Sequence, residues 1–256
     1  MPRFSANLGF LWNELSLPDA IIVAAKAGFD AVECHWPYEY STQAVNAALE
    51  NAKLRMIGFN TRLGVNGTDD FGVAAMPGRE QEARSYIDEA IAYAVEIGSR
   101  NVNVVAGKTG GTKEAEAVYQ RNLAYACSKA AIHGKTILIE PINQRDAPLY
   151  HLSFIEAAIE TVKAVGAGNL KVMFDCYHTQ IMQGDLTERL RATLQYVGHV
   201  QIAAVPDRGE PDRGEVNYPY LLAALDDMGW DGYVGAEYKP RGMTDEGLDW
   251  MNAYRS

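Results

Sequence analysis

The sequence predicts an α/β fold with a parallel sheet, closed as a single (β/α)8 TIM-type barrel. Three observations carry that expectation. A phrase recurs along the chain, in which a helical pattern ends on glycine and an apolar, strand-like run follows within a few residues. Six such runs, with Phe4–Leu8 and Arg55–Asn60 added, make eight strands that alternate with amphipathic helical patterns, spaced roughly 25–40 residues apart, and alternation of this kind means right-handed βαβ crossovers. The fifth to eighth runs each carry a carboxylate or an amide at or near the C-terminal end, and barrel closure would gather those ends at one mouth. An open doubly wound sheet is the alternative closure.

Phe4–Leu8 is the first strand. Pro18–Ala27 follows as a helix, with Pro18 suited to its first turn. Ala27-Gly28-Phe29-Asp30 ends that helix and leads into Ala31–His35. Glycine just past a helix takes the left-handed cap conformation without a Cβ penalty, so each such phrase marks a helix end. Ser41–Asn51 is the second helix and Arg55–Asn60 the third strand. The two longest helices, Arg79–Ile97 and Thr112–His133, flank the strand Asn101–Val105. His133-Gly134 leads into Thr136-Ile-Leu-Ile-Glu140, which Pro141 stops. An apolar run this short reads as a strand buried on both faces. Ser153–Val165 opens on Ser153 with Glu156 three residues on, the signature of a capping box. Val165-Gly166 then leads into Leu170–Asp175. Leu186–Val197 precedes Val200–Ala204, and Tyr220–Met228 precedes Tyr233–Glu237. Thr244–Tyr254 closes the set as a last helix.

No stretch of linker composition divides the chain, so one catalytic domain over residues 1–256 is expected. Two long loops, Thr61–Pro77 and Ala204–Pro219, follow strands and so belong to the mouth side of a barrel. The second contains a tandem repeat, Pro206-Asp-Arg-Gly-Glu210 followed by Pro211-Asp-Arg-Gly-Glu215.

Composition narrows the function classes. With 23 basic and 33 acidic residues the net charge is −10 and the pI near 5.0. Bulk binding to nucleic acid or to anionic membrane favours basic surfaces and is not expected. A small anionic substrate is compatible, provided a local cation holds it. Three cysteines without a C-x-x-C pair fit a reducing compartment better than a disulfide framework. Residues 1–10 lack signal-peptide architecture, and no apolar run approaches the ~20 residues that span a bilayer. A soluble, cytoplasmic protein is expected; homo-oligomer formation is left open.

Glu140, Asp175, Gln201 and Glu237 form the central constellation, three carboxylates and an amide, 35, 26 and 36 residues apart. A carboxylate at the edge of a core costs folding free energy unless it meets a cation or changes its pKa. Three acids at one mouth would repel without a cation. An oxygen-rich donor set suits Mg2+ or Mn2+ rather than zinc or copper. The plainer reading makes each acid a helix N-cap or an ion-pair partner. His178 falls three residues after Asp175, just beyond the strand end, where it would be within reach of a bound substrate; a satisfied loop histidine is the plainer reading. Arg208 and Lys239 are the candidates for holding a substrate carboxylate, Arg by a planar fork and Lys as a point charge; solvated loop cations are the plainer reading. Glu33, His35 and Trp36 end the second strand and could wall the pocket, with packing the simpler role for the aromatic. His133 and His199 flank helix ends on the opposite rim and are read as structural. Gly107-Lys108-Thr109 resembles the tail of a phosphate-binding loop, but Val102 stands where that motif needs glycine.

These residues resemble the hydroxypyruvate isomerases of the xylose-isomerase-like TIM barrel superfamily. The matching motifs are Glu140-Pro-Ile-Asn143, Asp175-Cys-Tyr-His178, His199-Val-Gln201-Ile-Ala, Pro206-Asp-Arg208 with Gly214-Glu-Val-Asn-Tyr-Pro219, and Gly235-Ala-Glu237-Tyr-Lys239-Pro. Pro77-Gly-Arg79-Glu80 also matches, and the resemblance runs over essentially the whole chain. It implies that Glu140 and Glu237 are the acid–base pair and that Asp175 and Gln201 complete a metal site. Related sugar epimerases usually place His where this chain has Gln201.

The resemblance implies a metal-dependent isomerase that interconverts hydroxypyruvate and 2-hydroxy-3-oxopropanoate by proton transfer through an enediolate. A 2-oxo-tetronate isomerase or a ketose 3-epimerase on the same barrel is the nearest alternative. An endonuclease IV-like nuclease would want several zinc ions and many histidines, whereas this chain has 5 and is acidic. A non-catalytic sugar-binding barrel would not need both glutamates.

Overall fold

A computed structural model describes residues 2–254; Met1, Arg255 and Ser256, the outermost residues of the expected 1–256 domain, lie outside the described residues. In chain order the elements begin with β1 (Arg3–Asn7), α1 (Leu17–Lys26), β2 (Ala31–Glu33), α2 (Thr42–Ala52) and β3 (Gly58–Asn60). They continue with α3 (Glu80–Glu96), β4 (Asn101–Asn103), α4 (Lys113–Ala131), β5 (Thr136–Ile139) and α5 (Ile155–Val165). The last are β6 (Leu170–Asp175), α6 (Cys176–Met182), α7 (Leu186–Thr193), β7 (Val197–Ile202), α8 (Tyr218–Asp227) and β8 (Tyr233–Ala236). The eight expected strands are all present, and chain contacts group them into two compact units.

The first unit comprises the N-terminal stretch to Ile57, Asp175–Leu194 and the stretch from His199 onward. Its strands run in the order β2-β1-β8-β7. They are parallel, with Asn7 paired to Glu33, Ala6 to Ala236 and Gln201 to Gly235. Ala6, Val32, Ile202 and Val234 are wholly buried, each of the larger ones contributing on the order of 1.5–3 kcal/mol by leaving water. Ser16 caps α1 by accepting from the Asp19 amide, with Pro18 in the first turn as expected, and Ser41 caps α2 in the same way. The C-terminal segment Thr244–Tyr254 is a 3-10 helix rather than an α-helix.

The second unit comprises Gly58–Phe174 with Gln195–Gly198. Its strands follow the order β6-β5-β4-β3, again parallel, with Asn103 paired to Leu138 and Asn60 to Asn103. Val102, Ile137, Ile139 and Phe174 make its core. Thr112 caps α4 through the Ala115 amide. The capping box expected at Ser153 is absent. The N-cap of α5 is Phe154, without a side-chain cap bond, because the Ser153 hydroxyl is already engaged by the Gln144 amide.

One helix had no counterpart in the sequence reading. α6 starts directly after β6, and Asp175 is its N-cap, accepting from the Tyr177 amide at 2.7 Å. Among the described residues, no helix is long and apolar enough to cross a membrane.

Candidate active site

In the first unit the strand ends bring polar side chains into one buried network. Asn7, at the end of β1, donates from Nδ2 to Glu33 Oε1 at 3.1 Å and to Glu237 Oε1 at 2.9 Å. Glu237 follows β8 directly. It also meets His35 Nε2 at 2.9 Å and Arg208 at 2.8 Å. Arg208 reaches on to Asp175 Oδ2 at 3.6 Å, and His178 Nε2 lies 3.4 Å from the same oxygen. Gln201, in β7, donates from Nε2 to Glu33 Oε1 at 2.8 Å. Asp175, His178, Gln201, Arg208 and Glu237, five of the residues singled out from sequence, therefore belong to one connected set.

The two carboxylates are driven apart in acidity. Burial raises the Glu237 carboxyl, but Arg208 and His35 outweigh it and hold the group well below the usual range, at about 2. Asp175 goes the other way: burial, opposed by Arg208 and reinforced by Glu237, lifts it to about 7. Opposed shifts on neighbouring acids are what environments tuned for proton handling produce.

Arg208 is not a solvated loop cation. Its guanidinium carbon lies 5.0 Å from the Phe10 ring and 4.9 Å from the Tyr177 ring, between two aromatic faces, and the side chain is 14% exposed. Its backbone is left-handed, with φ at 58°. Main-chain bonds from Arg208 N to Ala204 O (2.8 Å) and from Lys239 N to Arg208 O (2.7 Å) hold that turn. The Lys239 side chain is exposed, with Nζ 5.7 Å above the Phe10 ring. The tandem repeat divides its labour: Arg208 points inward, whereas Arg213 is exposed. One residue from outside the repeat, Arg241, clamps both copies through Asp207 (3.0 Å), Glu210 (2.9 Å) and Asp212 (2.9 Å).

In the second unit, Glu140 follows β5 and is buried. Its Oε2 accepts from Asn103 Nδ2 at 3.1 Å, and Asn103 Nδ2 also reaches Asn60 Oδ1 at 3.0 Å. Polar side chains from the ends of β3, β4 and β5 thus meet, as the first unit's do.

The donor set suits a hard divalent cation. Among the described residues, Gln201 Oε1 and Asp175 Oδ2 are buried oxygens without a hydrogen-bond partner, and Asp175 Oδ2 makes longer ion pairs to His178 and Arg208. A buried oxygen left without a donor is costly. A cation with a preference for oxygen ligands would remove that cost.

Several residues of the network escaped the sequence reading or were placed differently by it. Asn7 and Phe10 were missed; Asn7 carried the available signal, a polar side chain ending the first strand as others end later ones. His35 is a direct partner of Glu237. Gly9 permits this, since a Cβ there would lie 2.2 Å from His35 Nδ1. Trp36 is 40% exposed, and its ring packs beside that of His35 with centroids 5.1 Å apart. His199 is not on a remote rim: it lies within β7, buried, with Nε2 2.6 Å from Glu33 Oε2.

Comparison with known proteins places these features. A family model described as a xylose isomerase-like TIM barrel matches residues 21–254. The chain is 44% identical to a 2-oxo-tetronate isomerase of Cupriavidus necator, covering 99% of both chains. It is 38% identical to a hydroxypyruvate isomerase of Escherichia coli over the full length of both. A crystal structure from Brucella melitensis, described as an AP endonuclease of family 2, superposes with a TM-score of 0.97 at 42% identity, covering 100% of each chain. A match over this much of the sequence, agreeing with eight strands separated by helices and with polar residues at the strand ends, means that the chain belongs to the xylose isomerase-like TIM barrel family.

Proposed function

We propose that the chain, acting as one catalytic domain, is a metal-dependent isomerase that interconverts hydroxypyruvate and 2-hydroxy-3-oxopropanoate. The isomerase class follows from the full-length relatives. The observation that carries the substrate class is the Arg208–Glu237 pair at 2.8 Å. An anion-binding fork beside a carboxylate kept ionised is what a hydroxy-oxo acid needs: one group to hold its carboxylate, one to take a carbon-bound proton. Arg208 would release Glu237 to grip the substrate, and Glu237 would then work as a proton acceptor without its strongest neutralising partner. Glu140 is assigned the complementary position, giving or taking the proton at the adjacent carbon. His178 would contact bound substrate.

The metal reading assigns Glu140, Asp175, Gln201 and Glu237 as ligands of Mg2+ or Mn2+. It is supported by Gln201 Oε1 and Asp175 Oδ2, buried and without a hydrogen-bond partner among the described residues. Such an ion would supply a Lewis acid that polarises the substrate carbonyl and favours its enediolate.

A four-carbon 2-oxo acid is the second reading. It is favoured by the 44% identity to the 2-oxo-tetronate isomerase of Cupriavidus necator over 99% of both chains. The endonuclease description of the Brucella protein transfers poorly to a chain of net charge −10, since phosphate backbones are held by basic surfaces. The test is a panel of hydroxypyruvate, 2-oxo-tetronates and neutral ketoses on enzyme loaded with Mg2+ or Mn2+, and on chelated enzyme. Turnover in D2O should place solvent deuterium on the product carbon. Glu140→Gln and Glu237→Gln should each slow the proton step by about 10²–10⁴-fold. Full turnover without metal would end the metal reading. Near-normal rates in both variants, with no label, would end the proton-transfer mechanism.

A further inference from the structure

Glu33 lies outside the residues assigned above to metal, substrate or proton transfer, yet its carboxylate meets four donors of the network. Its Oε1 accepts from Gln201 Nε2 (2.8 Å) and Asn7 Nδ2 (3.1 Å). Its Oε2 accepts from His199 Nε2 (2.6 Å) and the Ser5 hydroxyl (2.9 Å). Four donors fill a carboxylate that is 4% exposed. The contact with Gln201 is also built into the sheet. Glu33 is on β2 and Gln201 on β7, at the two edges of the order β2-β1-β8-β7, so the side chains must reach across the strands between them. Gly235 of β8 leaves the room: a Cβ there would lie 2.7 Å from Glu33 Oε1 and 2.9 Å from Gln201 Cγ.

We infer that Glu33 is a positioning residue, which fixes the amide of Gln201 with its oxygen toward the reactive site. A primary amide has two ends of equal size and opposite polarity, and packing alone does not choose between them. A carboxylate accepts only, so it binds the NH2 end and leaves the oxygen on the far side. That oxygen is the one found buried without a partner. His199 and Ser5 hold the other carboxylate oxygen and so keep Glu33 itself from rotating. Glu33 thereby determines that position 201 offers an oxygen and not an N–H, and an oxygen is the only end that serves as a ligand to a hard cation. The inference rests on the metal reading of the site.

The design predicts what an isosteric change does. Glu33→Gln leaves one oxygen where the carboxylate offered two, so the amide of Gln201 no longer has an acceptor that fixes it in one orientation. Wherever the new NH2 faces Gln201, the Gln201 amide inverts and presents N–H to the site. The experiment is Mn2+ binding to the purified chain, followed by the EPR signal of free Mn2+, with circular dichroism and Tm as controls on folding. Glu33→Gln should weaken Mn2+ binding by roughly 10–100-fold in a folded protein, the range expected for removing a ligand's orienting partner. In a Gln201→Met background the same substitution should change binding by no more than about twofold, because the group through which Glu33 acts is gone. Equal binding by the wild-type chain and Glu33→Gln would overturn the inference, as would an undiminished effect of Glu33→Gln in the Gln201→Met background. Where Glu33→Gln alone does not fold, Glu33→Gln with Gln201→Glu exchanges donor and acceptor across the same contact. That double variant should fold and bind Mn2+, and a folded form that binds none overturns the inference. A wild-type chain that binds no Mn2+ overturns the metal reading itself, and this inference with it.

Discussion

Replacing Arg208 by lysine tests the anion grip while keeping the charge. Two features of the structure set the size of the effect. The guanidinium is held between Phe10 and Tyr177 at 5.0 and 4.9 Å, so its plane is fixed before substrate arrives, and its NH2 already makes a 2.8 Å charge-assisted bond to Glu237. A carboxylate taken by that fork would receive two parallel bonds, whereas an ammonium on a flexible stem offers one at a time. Losing one charge-assisted bond is worth about 1.5–3 kcal/mol, or roughly 10- to 150-fold in affinity. Steady-state kinetics should therefore show KM for hydroxypyruvate rising over that range, with kcat less affected and KM for neutral ketoses unchanged. The pH profile adds a second signature. Arg208 opposes the burial that would raise Glu237, so in Arg208→Ala the glutamate takes up its proton at higher pH. The acid limb of kcat/KM should then move upward in pH, because the base is needed ionised. An unchanged KM for hydroxypyruvate in Arg208→Ala would refute the assignment.

Gly9→Ala should act through His35 rather than through the backbone. The new Cβ would sit 2.2 Å from the ring and displace it from its 2.9 Å contact with Glu237. Misplacing a reacting group by about 1 Å costs on the order of 10²-fold, which kcat should show while the circular dichroism spectrum stays that of wild type; a normal kcat would mean that His35 has no part in holding Glu237. Asp175→Asn should raise Tm in metal-free buffer while abolishing activity. Its carboxyl is lifted to about 7 when folded, so the wild-type chain loses stability as pH rises from about 4 toward 7 and the Asn variant does not. The Tm difference should be largest at pH 7 and above, vanish near pH 4, and amount to about 2–4 °C per kcal/mol in a chain of roughly this size.

What could be read from the sequence was what repeats at short range. The glycines closing helices and the apolar runs that follow them are local signals; six of the eight strands came from them, and Phe4–Leu8 and Arg55–Asn60 were read beside them. Strand ends carrying Glu140, Asp175, Gln201 and Glu237 were visible because polar residues there interrupt the apolar pattern. Pairing was not visible. Nothing in Ala31–Glu33 announces that its carboxylate meets a glutamine 168 positions later, and that contact depends on a missing Cβ at Gly235 in a third strand. α6 was missed for a related reason. Its first residues, Cys176-Tyr177-His178, read as a loop until Asp175 is seen to serve both as strand end and as N-cap. Ser153 shows the converse error: its motif was correct in spacing, and a tertiary contact with Gln144 took its hydroxyl away.

The loop that carries Arg208 begins and ends at the same place. Glu215 N donates to Val205 O at 3.0 Å, and a Cβ on Gly214 would lie 2.4 Å from that carbonyl oxygen. The segment between is therefore a closed loop of the Ω type, with its stems fixed and its body cross-tied by Arg241. Such a segment is a cassette. It can be lengthened, shortened or exchanged without parting the strands it springs from, at an entropic cost of only ~0.6 kcal/mol for each doubling of its length. A lineage on this frame could alter its preference among hydroxy-oxo acids by rewriting a few residues there, and the five-residue duplication is the kind of edit that leaves both stems untouched.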